Sequence, residues 1–344
     1  MARVDVTVRG AGIFGMSVAW ACARRGARVR VIDPFGPGAG SSGGLVGALS
    51  PHVPEAWNGK KVFQLESLLM AQGWWADVEA GGGVASGYAR GGRLQPLADA
   101  AAVELARRRA ETAAQLWRGA AGWRVVPVTG AAWEPVSPSG WLVEDTLSAR
   151  LSPRMALAAL EAALLARGAE VLRAGEEAGA VVHATGVQGL EELSAALGRK
   201  VGSGVKGQAL ALQFEAREQP QLFVDGLHIV PHADGTVAVG STSETSWVEP
   251  GPDGQLEGLH ARAVAAVPVL AGAPVVARWA GVRPRAVSRA PVLGAWPGRA
   301  GHFVANGGFK IGFGMAPKVA EVMADLVLEG RDGVPEGFRV EALL

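Results

Sequence analysis

The sequence predicts an α/β fold, with a parallel sheet and a second, mixed or antiparallel sheet that is inserted into it. Two patterns predict this arrangement. Apolar strands alternate with helical segments near both ends of the chain and around residues 154–183, which is typical of a parallel sheet. Residues 205–240 instead show strand and turn patterns without helices, which is typical of antiparallel hairpins. Apolar residues make up 49% of the 344 residues, so the chain has ample material for a core.

The first 33 residues carry the most specific pattern in the chain. Residues 4–8 predict a strand, residues 13–25 a helix, and residues 28–32 a second strand that ends at Asp33. The glycine pattern G-x-G-x-x-G joins the first strand to the helix. A β-α-β unit with these glycines in its turn and an acid after its second strand predicts that the protein binds a dinucleotide.

Each residue of this pattern has a physical role in such a site. Gly10 permits the tight turn, Gly12 leaves room for a pyrophosphate beside the backbone, and Gly15 permits close packing of helix and strand. The N-terminus of the helix offers free N–H groups and the positive end of its dipole to the phosphates. Asp33 can accept a hydrogen bond from a ribose hydroxyl, and its charge favours FAD or NAD over NADP because it would repel a 2′-phosphate.

The remaining elements divide the chain into two predicted domains. Helices are predicted over 62–78, 98–117, 154–167 and 316–328, and strands over 92–97, 168–172, 178–183, 208–214, 227–230, 236–240, 275–282 and 303–306. We predict a discontinuous nucleotide-binding domain formed by residues 1–75, 146–204 and 273–344. Residues 76–145 and 205–272 are predicted to form a substrate-binding domain.

The composition argues against several other classes of function. The net charge is +1 without a long run of one sign, so neither a nucleic-acid partner nor a membrane partner is expected. Cys22 is the one cysteine, which excludes intrachain disulfides and cysteine-based metal sites. His228 and His232 are four residues apart, but Pro231 prevents a helix there, so no metal site is predicted. No stretch reaches the about 18 apolar residues of a membrane span. Residues 11–23 resemble a secretion signal, but Asp5 interrupts its start and cleavage after Ala23 would destroy the glycine turn, so we expect a cytoplasmic protein.

Six segments along the chain form a further pattern: the β-α-β unit up to Asp33, Ser41-Ser-Gly-Gly-Leu45, Val182-His-Ala-Thr-Gly186, Val205-Lys-Gly-Gln208, residues 279–294 and residues 307–317. In these segments, taken in order, the chain resembles the D-amino-acid oxidase and glycine oxidase superfamily of FAD enzymes. The resemblance covers nearly the whole chain. It implies a Rossmann-like FAD-binding domain with an inserted substrate domain, and it does not specify a substrate.

The resemblance also implies which residues bind FAD. They are Gly10, Gly12, Ile13, Phe14, Gly15, Asp33, Ser41, Ser42, Gly44, Leu45, Val171, Ala184, Thr185, Gly186, Gly308, Lys310, Ile311 and Gly312. Residues 41–45 resemble the loop that runs from the pyrophosphate to the flavin ring, and residues 308–312 resemble the loop beside flavin N1 and the C2 carbonyl. In this second loop Lys310 would stabilise the negative charge of the reduced flavin. The alternative is a solvated surface lysine.

Arg283 matches the arginine that binds the substrate carboxylate in amino-acid oxidases. A guanidinium can bind a carboxylate through two parallel hydrogen bonds and thereby fix the Cα–H over the flavin. The alternative is a structural ion pair at the end of a strand. Ser288 follows where the family usually has an aspartate, which leaves the local charge balance open.

The aromatic residues also depart from the family. Tyrosines typically line the site in these oxidases, but this chain has one tyrosine, Tyr88, and 11 tryptophans. Trp57, Trp247 and Trp279 are the candidates to line the pocket, with ordinary core packing as the alternative for each.

Together these features predict an FAD-dependent oxidase or dehydrogenase that oxidises the C–N bond of a small amine or amino acid, with Arg283 and Lys310 as catalytic residues. Hydride passes from the substrate carbon to flavin N5, the imine is hydrolysed, and O2 or another acceptor takes the electrons. A second hypothesis is an FAD-dependent oxidase of a tRNA wobble-uridine side chain, because residues 47–51 also resemble that enzyme. A third is a catalytically inactive FAD-binding subunit.

The FAD is expected to be bound without a covalent link. Relatives with covalent flavin use a cysteine in the C-terminal loop or a histidine in the serine-rich loop, and residues 306–317 and 41–47 contain neither. Acid precipitation of the yellow protein should therefore release all of its FAD, as measured by absorbance of the supernatant. Flavin colour that stays with the precipitate would contradict this prediction.

Overall fold

A computed structural model describes residues 4–343 and confirms the predicted α/β class with a Rossmann-like sheet. Its helices are α1 (Ile13–Arg24), α2 (Gly59–Gly82), α3 (Ala100–Trp117), α4 (Pro153–Ala166), α5 (Gly186–Leu197), α6 (Gln255–Ala266) and α7 (Gly312–Glu329). Its strands are β1 (Val6–Arg9), β2 (Val29–Ile32), β3 (Ala48–Leu49), β4 (Arg93–Pro96), β5 (Trp123–Pro127), β6 (Trp141–Asp145), β7 (Ala149–Arg150), β8 (Glu170–Leu172), β9 (Ala180–His183), β10 (Gly202–Gln213), β11 (Gln221–Val224), β12 (Leu227–Pro231), β13 (Thr236–Gly240), β14 (Val275–Ala286), β15 (Val292–Ala295) and β16 (His302–Asn306).

A six-stranded sheet contains the N-terminal β-α-β unit at its centre, in the order β15-β16-β9-β1-β2-β8. The pairs β1–β2, β1–β9, β2–β8 and β9–β16 are parallel, and β15 is an antiparallel edge strand. The carboxyl ends of β1, β2, β9 and β16 therefore meet at one edge of the sheet. In open α/β sheets, ligands bind outside this edge.

Helix α1 is buried along nearly its whole length, because its sequence is rich in small and apolar residues and its first charged residue is Arg24. It packs against α7, and the shared core contains Met16, Trp20, Met315 and Met323. This packing fixes the N-termini of both helices at the ligand edge of the sheet.

An eight-stranded sheet has the order β14-β10-β13-β12-β11-β4-β6-β5. Its longest pair is antiparallel β10–β14, each strand having 12 residues. The predicted turn at residues 232–235 is confirmed as the hairpin between β12 and β13, where Gly235 has a φ of 80°. One face of this sheet packs on α6, through residues such as Leu210, Ile229 and Leu259. Part of the other face packs against Leu45, Val46 and Ala48, and the rest is available to form a site.

Several predicted elements differ from the structure. The prediction began the last helix at residue 316, but α7 begins at Gly312 and contains Pro317 in its interior. Gly314 and Pro317 are both buried, so tertiary packing outweighs their low helix propensity. The prediction did not include α5 and α6. The correction at α7 matters most, because it brings a helix N-terminus to the site.

The division into two domains stays a prediction. Helix α2 runs across its boundary at residue 75, and β14, which falls in the nucleotide-binding segment 273–344, belongs to the eight-stranded sheet. Residues 1–3 and 344 of the predicted segments lie outside the described residues. Within residues 4–343, the helices lack the combination of length and apolar character that crossing a membrane requires.

Candidate active site

A cavity of about 1000 Å³ opens at the carboxyl ends of β1, β2 and β9 and extends over one face of the eight-stranded sheet. Cavities that bind small molecules typically have ~300–1,000 Å³, so this one suits a large ligand. All predicted site residues line it except Gly15, Val171 and Ile311. Val171 instead pairs with Val31 at the sheet edge. Residues from both ends of the chain thus meet in one cavity.

The glycine turn after β1 has the geometry that its sequence predicts. Gly10 has a φ of 98°, and a Cβ there would lie 2.4 Å from the Ala184 carbonyl oxygen. A Cβ on Gly15 would lie 1.9 Å from the Gly10 oxygen, so only glycine permits this helix–strand approach. A Cβ on Gly12 would meet only the Ser42 side chain, with Oγ at 3.2 Å. Gly12 therefore leaves open space at the cavity wall.

Asp33 accepts hydrogen bonds from the loops that follow β1 and β2. These loops form the end of the cavity where the dinucleotide is predicted to bind, the nucleotide end. Asp33 Oδ2 accepts a hydrogen bond from the Ala11 N–H at 2.8 Å, and Asp33 Oδ1 accepts one from the Phe35 N–H at 3.0 Å. The side chain also lines the cavity. Because each carboxylate oxygen can accept more than one hydrogen bond, Asp33 retains capacity for a ribose hydroxyl.

The N-terminus of α1 differs from the sequence expectation in one respect. The prediction left its first N–H groups free, but the Ile13 N–H donates to Ser42 Oγ at 3.0 Å, which ties the serine-rich loop to the helix. Thr185 also lines the cavity, and its hydroxyl has no hydrogen-bond partner among residues 4–343. A buried hydroxyl without a partner, in the residue that packs against Gly10 of the same turn, fits the polar pyrophosphate of FAD.

The other end of the cavity lies over a row of residues that crosses the eight-stranded sheet. The strand register places Trp279, Ala209, Gly240, His228 and Phe223 side by side on β14, β10, β13, β12 and β11. Directly paired residues share one face of a sheet. The small residues Ala209 and Gly240 therefore form a low floor between aromatic walls.

Arg283 lies at this end of the cavity, on β14, and is 8% exposed. Its side chain crosses Gly207 of β10, where a Cβ would fall 2.0 Å from Arg283 Nη1. Nη1 donates to the Thr242 carbonyl oxygen at 3.3 Å, and Arg283 forms no ion pair with a carboxylate anywhere in residues 4–343. Burial lowers the pKa of Arg283 to about 10, so the group is charged at neutral pH. The structural ion-pair alternative thus lacks a partner.

Lys310 reaches the same end of the cavity from the loop before α7. Phe309 in this loop has a left-handed backbone, with a φ of 42°. Gly312, the first residue of α7, also lines the cavity, so the N-terminal end of the helix dipole is close by. Desolvation and the nearby Arg283 lower the pKa of Lys310. Two cationic groups and a helix N-terminus therefore face one region.

The sequence analysis considered His228 only as a metal ligand and did not predict that it lines the cavity. His228 lines the cavity, its Nδ1 is buried, and its ring makes no hydrogen bond within the described chain. Burial lowers its pKa to about 3, so the imidazole is neutral. Its ring centre lies 4.7 Å from that of Phe223. The available signal was strand alternation, which puts His228 on the opposite face from the core residues Leu227 and Ile229.

The structure also separates the other aromatic candidates. Trp279 lines the cavity, whereas Trp57, Trp247 and Tyr88 do not. Tyr88 packs against the core near α2. Ser288 does not line the cavity either, and its hydroxyl accepts a hydrogen bond from the Ala290 N–H at 3.3 Å within a turn.

Neither a metal-binding cluster nor the Cys22 thiol contributes to the cavity in the described part of the chain. Across residues 4–343, no group of three His, Cys, Asp or Glu side chains is arranged to hold a metal ion. Cys22 is buried in α1, and desolvation raises the pKa of its thiol to about 12.

Comparison with known proteins identifies the family of this chain. The family model described as FAD-dependent oxidoreductase matches residues 5–326. The chain belongs to this family. The family confirms FAD as the cofactor and oxidoreductase as the class of enzyme.

The similar proteins include several named glycine oxidase and several named bifunctional protein ThiO/ThiG. The glycine oxidase of Pseudomonas putida is 35% identical over 125 residues, which is 36% of this chain and 34% of that protein. The chain thus matches about a third of that relative's length. The glycine oxidase of Geobacillus kaustophilus is 26% identical over 94% of this chain and 93% of its own length. A crystal structure of glycine oxidase from that organism has a TM-score of 0.85, with 22% identity and 99% of each chain covered, which shows the shared fold.

Gly12→Val should abolish FAD binding while the apoprotein still folds, because its side chain fills the open space beside Ser42. Asp33→Asn should only weaken binding, by about 1–3 kcal/mol, because a charged acceptor is replaced by a neutral one. Titration of the apoproteins with FAD, followed by flavin fluorescence, measures both effects, and circular dichroism reports the fold. Gly73→Ala in α2 is the control, since a Cβ there meets no atom within 4 Å. Full FAD content in Gly12→Val would contradict the assignment of this turn.

Proposed function

We propose that the protein oxidises the C–N bond of a small amine or amino acid that carries a carboxylate. The observation that supports this most strongly is Arg283, a buried cation at the cavity wall without a carboxylate partner in residues 4–343. Burying a charge is costly unless it is paired, so a ligand that supplies the carboxylate fits the site. The similarity to proteins named glycine oxidase supports an amino-acid substrate.

In this proposal Arg283 binds and orients the substrate. Thr242 accepts a hydrogen bond from one of its N–H groups, which fixes the guanidinium plane and leaves other donors for a carboxylate. The low floor at Ala209 and the wall formed by Trp279 enclose a small substrate beside it. Bound FAD supplies the hydride acceptor. Holding the carboxylate fixes the direction of the Cα–H bond, which lowers the entropic part of the barrier.

Lys310 and the N-terminus of α7 are proposed to stabilise the negative charge that develops as the flavin is reduced. Both face the cavity at the end where Arg283 lies. A preorganised cation in a partly desolvated site stabilises such charge better than water does. O2 or another acceptor then takes up the electrons.

Anaerobic addition of glycine, N-methylglycine and the enantiomers of alanine and proline tests the proposed reaction. Loss of the visible flavin absorbance identifies an oxidised substrate, and the keto or aldehyde product identifies the bond that was broken. Amines without a carboxylate should be inactive. If none of these compounds reduces the flavin, the result favours the hypothesis of an inactive FAD-binding subunit over the proposed function.

Arg283→Ala should leave FAD bound and reduce affinity for the substrate carboxylate roughly a hundredfold or more, since a buried charged pair contributes about 2–5 kcal/mol. Acetate, a carboxylate without an amine, serves as the probe, and its binding is followed by the change in the flavin spectrum. Arg278→Ala is the matched control, because Arg278 is an exposed arginine on the same strand. Unchanged acetate binding in Arg283→Ala would contradict the carboxylate role.

Lys310→Met should make the flavin harder to reduce, because the reduced form loses a nearby cation. The midpoint potential should fall by on the order of 30 mV or more, which corresponds to about 1.4 kcal/mol for two electrons. Equilibration with a reference dye measures this potential. Lys200→Met, at an exposed position, is the control. An unchanged potential would show that Lys310 is an ordinary solvated lysine.

A further inference from the structure

An ionic cluster lies behind Arg283, outside the cavity, with Lys206 buried, Glu244 mostly buried and Asp253 exposed. Lys206 of β10 is 1% exposed, and its Nζ lies 2.9 Å from Asp253 Oδ2 and 3.4 Å from Glu244 Oε2. Gln208 adds a hydrogen bond from Nε2 to Glu244 Oε1 at 3.1 Å. One cation and two carboxylates give this cluster a net charge of −1. None of its members lines the cavity, so the proposed reaction does not use them directly.

The cluster and Arg283 lie on opposite sides of β10. Arg283 crosses Gly207, whereas Lys206, the preceding residue, points to the other face because side chains alternate along a strand. The backbone of Lys206 exchanges two hydrogen bonds of 2.9 Å with Glu244. Only the thickness of one strand therefore separates the guanidinium from the cluster.

The segment 242–244 connects the two sides. The Thr242 carbonyl accepts from Arg283 Nη1, while the Thr242 hydroxyl donates to Glu244 Oε1 at 2.5 Å. The negative charge of Glu244 also acts to raise the pKa of Arg283, against the effect of burial. Burial raises the pKa of Glu244, but hydrogen bonds from Thr242, Gln208 and Gln255 and the charge of Lys206 together lower it, so the carboxyl is charged. The ion pair with Asp253 raises the pKa of Lys206 in turn.

We propose that Lys206 is a positioning residue for the carboxylate-binding site. It offsets one of the two negative charges behind Arg283 and holds the segment whose Thr242 carbonyl orients the guanidinium. Without this offset, a charge of −2 behind Arg283 would oppose an incoming carboxylate. The inference rests on the proposed role of Arg283, and it assigns to Lys206 an effect on anion affinity rather than on the reaction itself.

A series of charge variants of the FAD-bound protein tests the proposal, with acetate as the probe. The net charge of the cluster is −1 in the natural protein, −2 in Lys206→Met, 0 in Glu244→Gln and −1 again in the double variant. Lys206→Met should bind acetate roughly tenfold more weakly, because an uncompensated charge lies close to the site. Glu244→Gln should bind it at least as tightly as the natural protein, and the double variant should recover most of the loss.

A purely structural role for Lys206 makes the opposite prediction, since two disruptions of one network would not restore each other. A double variant as weak as Lys206→Met, or a Glu244→Gln variant weaker than the natural protein, therefore overturns the proposal. Lys318→Met, which breaks a surface ion pair with Glu66, is the matched control and should have no effect. If Lys206→Met does not fold, the Glu244→Gln measurement still decides.

The same experiment separates this inference from the proposed function. Acetate binding that depends on Arg283 but not on the cluster charge overturns only the role of Lys206. Acetate binding that is independent of Arg283, or no binding at all, overturns both.

Discussion

Burial of the Arg283 guanidinium is the constraint on which the substrate end of the cavity, the end over the eight-stranded sheet, depends. Its charge must be desolvated without a paired carboxylate, and this costs folding free energy. The structure accommodates it by leaving out a Cβ at Gly207 and by presenting one backbone carbonyl, that of Thr242. The long β10–β14 ladder provides the rigid frame on which this arrangement is held. The extensive apolar cores elsewhere in the molecule offset this cost in folding free energy.

A second constraint is the close contact between the serine-rich loop and the eight-stranded sheet. A Cβ on Gly44 would lie 3.3 Å from the Trp279 ring, and one on Gly240 would lie 2.7 Å from Val46 Cγ2. These contacts fix the nucleotide end of the cavity relative to the substrate end. Such fixed geometry is what the proposed hydride transfer requires, because small displacements of the reacting atoms strongly reduce the rate.

The electrostatics of the cavity follow from the same packing. Arg283, Lys310 and the N-terminus of α7 make the substrate end positive, while His228 is kept neutral by burial. Behind the sheet, the negative cluster around Lys206 balances part of this charge. The site is thus suited to an anionic group without carrying a large unbalanced charge in the folded protein.

How much the sequence could predict depended on whether a signal was local. The turn at Gly10, Gly12 and Gly15 was predictable because its conformational demands fall within a few residues. The proposed role of Arg283 could be predicted only through family resemblance, since nothing near it in sequence shows that it lacks a carboxylate partner. His228 was missed because its neighbours across the sheet, Gly240 and Phe223, are set by strand register.

By itself, the sequence determined the β-α-β unit, a dinucleotide site through its glycines and Asp33, and the antiparallel character of residues 205–240, while FAD in particular followed from the family resemblance. Tertiary structure alone decided that α7 begins at Gly312, that Trp279 rather than Tyr88 lines the cavity, and that Lys206 lies behind Arg283. The physical reason is how far apart in sequence the interacting residues lie. Turns and helix ends depend on the conformational preferences of adjacent residues, whereas burial, charge pairing and sheet register depend on residues that meet only after the chain has folded.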